Sequence, residues 1–288
     1  MSDRLSVKGG KVEPSGSASP IWWLVLKREL AELWIGGRAL NLLILFSVLM
    51  SITAFLLATN SELSLFTPQH MLYVALQANI TFGLFIGLII AAEGISGERE
   101  RATLEALLLT PTSRRQIVIG KYLAALSLWP SALILSIPYM TALSRGDPVL
   151  GQALLWGALL GSILAVTFTG FGMLVSIWSN SSRTSLFVSL LIYLLSLLPS
   201  QLPGETQATS LGAFIQAANP LEAARQFLQK ILLDSLPVGE ANIFLLAPMV
   251  LAAVVLGVLF LFAAPRLRLE VGRVNVRRPI WSRAEAVE

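Results

Sequence analysis

Residues 93–121 read EGISGERERATLEALLLTPTSRRQIVIGK and form the only long, charge-dense interruption between hydrophobic blocks. Glu93, Glu98, Arg99, Glu100, Arg101 and Glu105 come first, then Leu107, Leu108 and Leu109, a Thr110-Pro111 break, and Arg114-Arg115 ahead of the next apolar run. A loop that only turned the chain round would need none of this internal pattern. On either side the chain reads as membrane: of 288 residues, 55% are hydrophobic and 13% charged, and mean hydropathy is +0.72. An ordinary soluble domain carries about 25% charged residues.

A helix crossing a ~30 Å hydrocarbon core needs about 20 mostly apolar residues. Six gaps between charges are that long: 39–61, 63–92, 122–144, 148–182, 184–204 and 241–265. The fold class is therefore all-α integral membrane, with six crossings and both termini on one side. If that side is cytoplasmic, it holds all of the 21 Lys and Arg residues except Arg145, Arg225 and Lys230, as the positive-inside rule requires. Residues 93–121 then lie in the cytoplasm, and the localisation is a plasma (inner) membrane. Topology and anionic lipid account for the net charge of +4, so no nucleic-acid partner is implied. With no Cys, disulfides and thiolate metal sites are excluded, and no cleavable leader is expected.

Residues 1–20, rich in Ser, Gly, Lys and Pro, are expected to form a flexible cytoplasmic tail. Residues 21–38 read as an amphipathic helix in the inner interface, with Trp22, Leu26, Leu30 and Leu33 at helical spacing and Lys27, Arg28, Glu29 and Glu32 on the rest of the wheel. Residues 39–264 make the six-helix membrane domain, and 265–288 a basic cytoplasmic tail. In the second span Gly83 and Gly87 form a GxxxG that allows close helix contact, and Gln77, Asn79 and Thr81 line a pathway or bond a neighbouring helix. Ser113 and Gln116 form a capping-box pair that starts a helix at Arg114, which Pro130 and Pro138 would kink. The fourth span carries Ala153, Gly157, Gly161, Ala165 and Thr169 at a four-residue interval, a packing ridge within or between subunits. After a short fifth span, Asn219-Pro220-Leu221-Glu222 opens an outer helix. Its stripe of Leu221, Ala224, Leu228, Ile231 and Leu232 is expected to lie along the membrane at the outer end.

The chemistry the sequence lacks narrows its function. There is no GxxxxGK[ST] loop for ATP, and apart from Glu93 at a boundary no span carries an acidic, basic or histidine side chain. One His and no buried Asp cannot supply a metal or catalytic site, so an enzyme is disfavoured.

The central stretch resembles the permease subunits of type-two ABC transporters, which show a cytoplasmic ERE-x-GTLE motif followed by leucines and TP-x-S. Here it stands as Glu98-Arg99-Glu100-Arg101-Ala102-Thr103-Leu104-Glu105, then Leu107 to Leu109, Thr110-Pro111-Thr112-Ser113 and Gly120-Lys121, with Ala102 where the family usually has Gly. The resemblance implies a dimer, of two identical or related permeases, in lipid. Each copy would dock a separate ATPase that binds ATP and Mg, with no cofactor in this chain and with transport usually outward. Under this reading residues 103–111 form a docking helix: Leu104, Leu107 and Leu108 share a face, Pro111 ends it, and Glu98 and Glu100 sit at its positive N-terminal end. Two rival readings are a motor-independent channel or secondary transporter, and a scaffold that recruits a partner but moves nothing. Uncharged spans lean toward a hydrophobic or amphiphilic cargo.

Overall fold

A computed structural model describes residues 21–59, 67–104, 113–201 and 218–267. The expected tails at 1–20 and beyond 267, and most of the expected docking helix, lie outside the described residues. Helices dominate: α1 (Ile21–Ile35), α2 (Arg38–Thr59), α3 (Pro68–Glu93), α4 (Ser96–Glu100), α5 (Arg114–Leu126), α6 (Leu128–Ser144), α7 (Val149–Trp178), α8 (Ser182–Leu197), α9 (Pro220–Leu232), α10 (Val238–Ala241) and α11 (Ile243–Gly257). α11 runs on through a π-helical turn, Val258–Ala263, to a last 3₁₀ turn. Five helical stretches are long and apolar enough to cross a membrane: α2, α3 with α4, α5 with α6, α7, and α11 with its extension. The helix of the expected fifth span, α8, is apolar but only 16 residues long.

The capping sequences work as read. Ser113 and Gln116 make a reciprocal capping box at α5, and Asn219 accepts from the Leu221 and Glu222 amides at the start of α9. α5 and α6 part at Ser127, three residues ahead of Pro130, whose missing N–H cannot bond the carbonyl four residues back. Pro138, by contrast, sits inside α6 without ending it.

α3 and α7 are the centre of the bundle, and small residues bring them together. Ala153, Gly157, Gly161, Ala165 and Thr169 are all buried, so the ridge of the fourth span is a contact within the subunit. The Trp129 ring fills the space over two glycines from two helices: a Cβ on Gly83 would lie 2.8 Å from its Cζ3, and one on Gly161 would overlap it. Trp129 Nε1 then donates to Ser162 Oγ at 3.0 Å, so the buried indole keeps its polar atom satisfied. Gly157 receives Leu76 in the same way, while Gly87 faces Thr169 at ordinary contact distance.

Two amphipathic helices differ from expectation in what they pack against. The α9 stripe is turned into the protein: Ala224, Phe227, Leu228 and Leu232 are each 1% exposed or less, packed in one cluster with α3, α7 and the start of α11. Likewise Leu26 and Leu33 of α1 are buried, and α1 lies against α5 so closely that a Cβ on Gly120 would sit 2.7 Å from Val25. Periodicity reports an apolar face but not whether lipid or protein covers it.

Two outcomes follow. Gly161→Leu should destabilise the purified chain by about 1–3 kcal/mol of overpacking, and by more than Gly157→Leu, because an indole yields less than a leucine tip. Gly151→Leu, where an added Cβ meets nothing within 4 Å, is the control for thermal melting. A nitroxide at Leu228 should be shielded from both lipid-soluble and aqueous quenchers, while one at Arg225 is reached from water; strong lipid quenching at Leu228 would contradict the packing of α9.

Candidate functional site

The charged motif gathers the helix ends at one end of the bundle. After α3 the chain bends at Gly94 and Ile95, where Ser176 Oγ of α7 accepts from the Ile95 and Ser96 amides, both at 2.9 Å. Ser185 of α8 donates to the Ala92 carbonyl at 2.6 Å. α4 then presents consecutive residues of opposite charge to two helix ends of opposite polarity. Arg99 donates to the Ile177 and Ser179 carbonyls and to Asn180, where the carbonyls at the end of α7 lack helical partners. Glu100 accepts from the Ser182 amide at 3.0 Å, the first turn of α8. The pair thus clamps the turn between α7 and α8, and Glu100 serves α8 instead of the N-terminal end of a docking helix.

Glu98 faces the other way. Its Oε1 is 3.2 Å from Lys121 Nζ, which also lies 2.7 Å from Glu29 of α1; the lysine side chain is 3% exposed. An amine so buried is tolerable only with close counter-charges, and here two carboxylates from different elements supply them. Thr103 donates to the other oxygen of Glu98. Arg38 pairs with Glu93 beside this network. Glu32, Arg38, Glu93, Arg101 and Lys121 are among the walls of an inner cavity of about 410 Å³.

Of the sequence-predicted docking residues, Glu98, Arg99, Glu100 and Thr103 are therefore engaged within the chain, and Arg101 is exposed. Leu104 is a correction: at 2% exposure it packs in a core cluster with Ile117, Val118 and Tyr122 of α5 and Met173 and Ile177 of α7, so its partner is this chain. Glu105, Leu107, Leu108 and Pro111 lie outside the described residues. Sequence reading missed Glu29 and Lys121 as members of the site. Lys121 was visible as a lone cation within a few residues of an apolar run, but its two carboxylates come from distant segments.

Ala102 explains a departure in the motif. α4 ends with Thr103 N–H bonding the Glu98 carbonyl at 3.0 Å and Ala102 N–H bonding that of Arg99 at 3.2 Å, the paired bonds of a Schellman cap. That cap needs a left-handed residue, and Ala102 has φ +57°. Glycine adopts this conformation without the Cβ clash, which costs an L-residue roughly 1–2 kcal/mol. Ala102→Gly should raise stability by about 0.5–1 kcal/mol after the extra unfolded-state entropy of glycine is subtracted; an unchanged or lower melting temperature would show that the cap carries no strain.

Comparison with known proteins agrees with this architecture. One relative is the "ABC transporter permease protein NatB" of Bacillus subtilis (strain 168), 28% identical over 121 residues; the match spans 36% of this chain and only 30% of that protein. The family model described as "ABC-2 family transporter protein" matches residues 23–265. That match runs from within α1 past the end of α11, and the chain belongs to the ABC-2 transporter family, as a multi-pass transmembrane subunit.

Proposed function

We propose that the chain is the permease of an ATP-driven exporter, crossing the plasma membrane six times with both termini in the cytoplasm. It works as a dimer with an identical or related permease, and a separate ATPase, which binds ATP and Mg, docks on the segment that follows Leu104. The observation that carries this reading is the fastening of residues 98–104. Lys121 links Glu98 to α1, Leu104 is rooted between α5 and α7, and Arg99 and Glu100 hold the α7–α8 turn. A force applied just beyond Leu104 reaches all of these helices together. A plain topology loop needs arginines, but not this set of attachments.

The leucines that remain for a partner are Leu107 and Leu108. Changing both to Ser, with Leu104 and all arginines intact, should leave insertion and melting unchanged and abolish co-purification of the ATPase, because each buried leucine contributes about 1.5–3 kcal/mol. Retention of the ATPase at wild-type stoichiometry would remove the docking surface from this segment. Leu104→Ala gives the opposite pattern, lowering the chain's own stability by about 2–5 kcal/mol as a core truncation.

A further inference from the structure

Three arginines stand together where the last membrane helix ends. Arg114 Nη1 donates to the Pro265 carbonyl at 3.3 Å, joining the start of α5 to the end of the α11 extension across 151 positions of sequence. Arg115 follows Arg114, and Arg266 follows Pro265 as the first charge after the apolar run 241–265. All three are exposed. The Arg266 guanidinium lies over the Phe262 ring, 5.8 Å from its centre, a contact that steadies the planar group and leaves its N–H edge available to an acceptor. On the same stretch Val254, Leu261 and Phe262 are more than half exposed, an apolar strip that faces out of the bundle and leads to Arg266.

Other cations at this end of the bundle have acidic neighbours. Arg38 pairs with Glu93 and Lys121 with Glu29 and Glu98, while Arg28 acts electrostatically on Glu98, and Arg101 and Arg183 on Glu100. Among the described residues no ion pair joins Arg114, Arg115 or Arg266 to a carboxylate. Helix stability does not call for the first two, because α5 has no acidic residue in its first turn and cations there meet the positive end of the helix. Topology needs arginines on one side of the membrane, but it does not need two distant segments to bring theirs to one lipid-facing corner. Uncompensated cations beside an exposed apolar strip fit an anion that carries acyl chains. We infer that Arg114, Arg115 and Arg266 hold the phosphate of an anionic phospholipid, with its acyl chains along Val254, Leu261 and Phe262. A zwitterionic lipid brings its own ammonium to three positive charges, so a headgroup of net negative charge such as phosphatidylglycerol is preferred. This site requires no ATPase.

Photolabelling of the full chain in phosphatidylcholine nanodiscs tests the site. One arm carries a trace of tritiated phosphatidylglycerol with a diazirine near its headgroup; the other carries phosphatidylcholine with the same diazirine at the same dose. The anionic probe should label peptides covering 113–122 and 254–267 more than the zwitterionic one, by about tenfold or above. Arg114→Gln, Arg115→Gln and Arg266→Gln should each cut that preference about fivefold, with melting unchanged, and lysine at the same positions should keep most of it. Arg183→Gln, at the same end of the bundle but near Glu100, should leave it as it is. Equal labelling by the two lipids, or a preference indifferent to the three substitutions, would overturn the proposal. A preference lowered as much by Arg183→Gln would also overturn it, because the attraction would then be diffuse. Displacement of the label by soluble glycerol phosphate would assign the arginines to a free phosphate, and absence of label from these peptides would assign them to residues 105–112 or to another protein; either result defeats the lipid site.

Discussion

The close approach of α3 and α7 is the constraint on which the rest of the structure depends. In hydrocarbon there is no hydrophobic drive between helices, so association relies on packing and on hydrogen bonds that lipid cannot offer. The glycines of both helices supply the packing by admitting Trp129 and Leu76. The hydrogen bonds run from side-chain hydroxyls to backbone carbonyls: Tyr193 to Thr81, Tyr122 to Val166, and Ser185 to Ala92. Each satisfies a donor inside the bundle by a second bond to a carbonyl already in a helix, which leaves the helical ladders intact.

At the end of the bundle that carries the charged motif the solution changes, because helices must stop there and their last backbone groups need partners. Residues of α4 and α7 provide them. The same short motif that interrupts the hydrophobic pattern closes off the ends of α7 and α8 with Arg99 and Glu100, while Ser176 of α7 takes the first amides of α4. Lys121 then ties α4 to α1 across the cavity. A motif that looks like an external docking tag is thus, over residues 98–104, mainly internal carpentry.

Much of this was legible in the sequence, for reasons that differ by element. The membrane helices follow from apolar runs with no charge, and the caps at Ser113 and Asn219 from local chemistry, so both could be read without tertiary information. The glycine ridge of α7 announced close packing, but its partner, an indole from α6, was not deducible because it is fixed by the three-dimensional path of the chain. The faces of α1 and α9 were legible as stripes, but that other helices of this chain cover them is set by the path of the chain. The ion pairs at Lys121 join residues 92 and 23 positions away in sequence, and Leu104 is buried in part by Met173 and Ile177, far along the chain; no local pattern carries that.

The brevity of α8 has a consequence for the surrounding lipid. Sixteen residues of α-helix rise about 24 Å, and the 3₁₀ turn that continues it, Leu198–Gln201, adds about 8 Å, so the helical path only just matches a ~30 Å hydrocarbon layer. Leu190, Leu191, Leu194 and Leu195 on this helix are exposed at the protein surface, where acyl chains can meet them. A helix with length to spare takes up a change in thickness by tilting, and this one has none. Bilayer thickness therefore becomes a variable acting on one side of the protein, with thin membranes accommodating this flank and thick ones straining it.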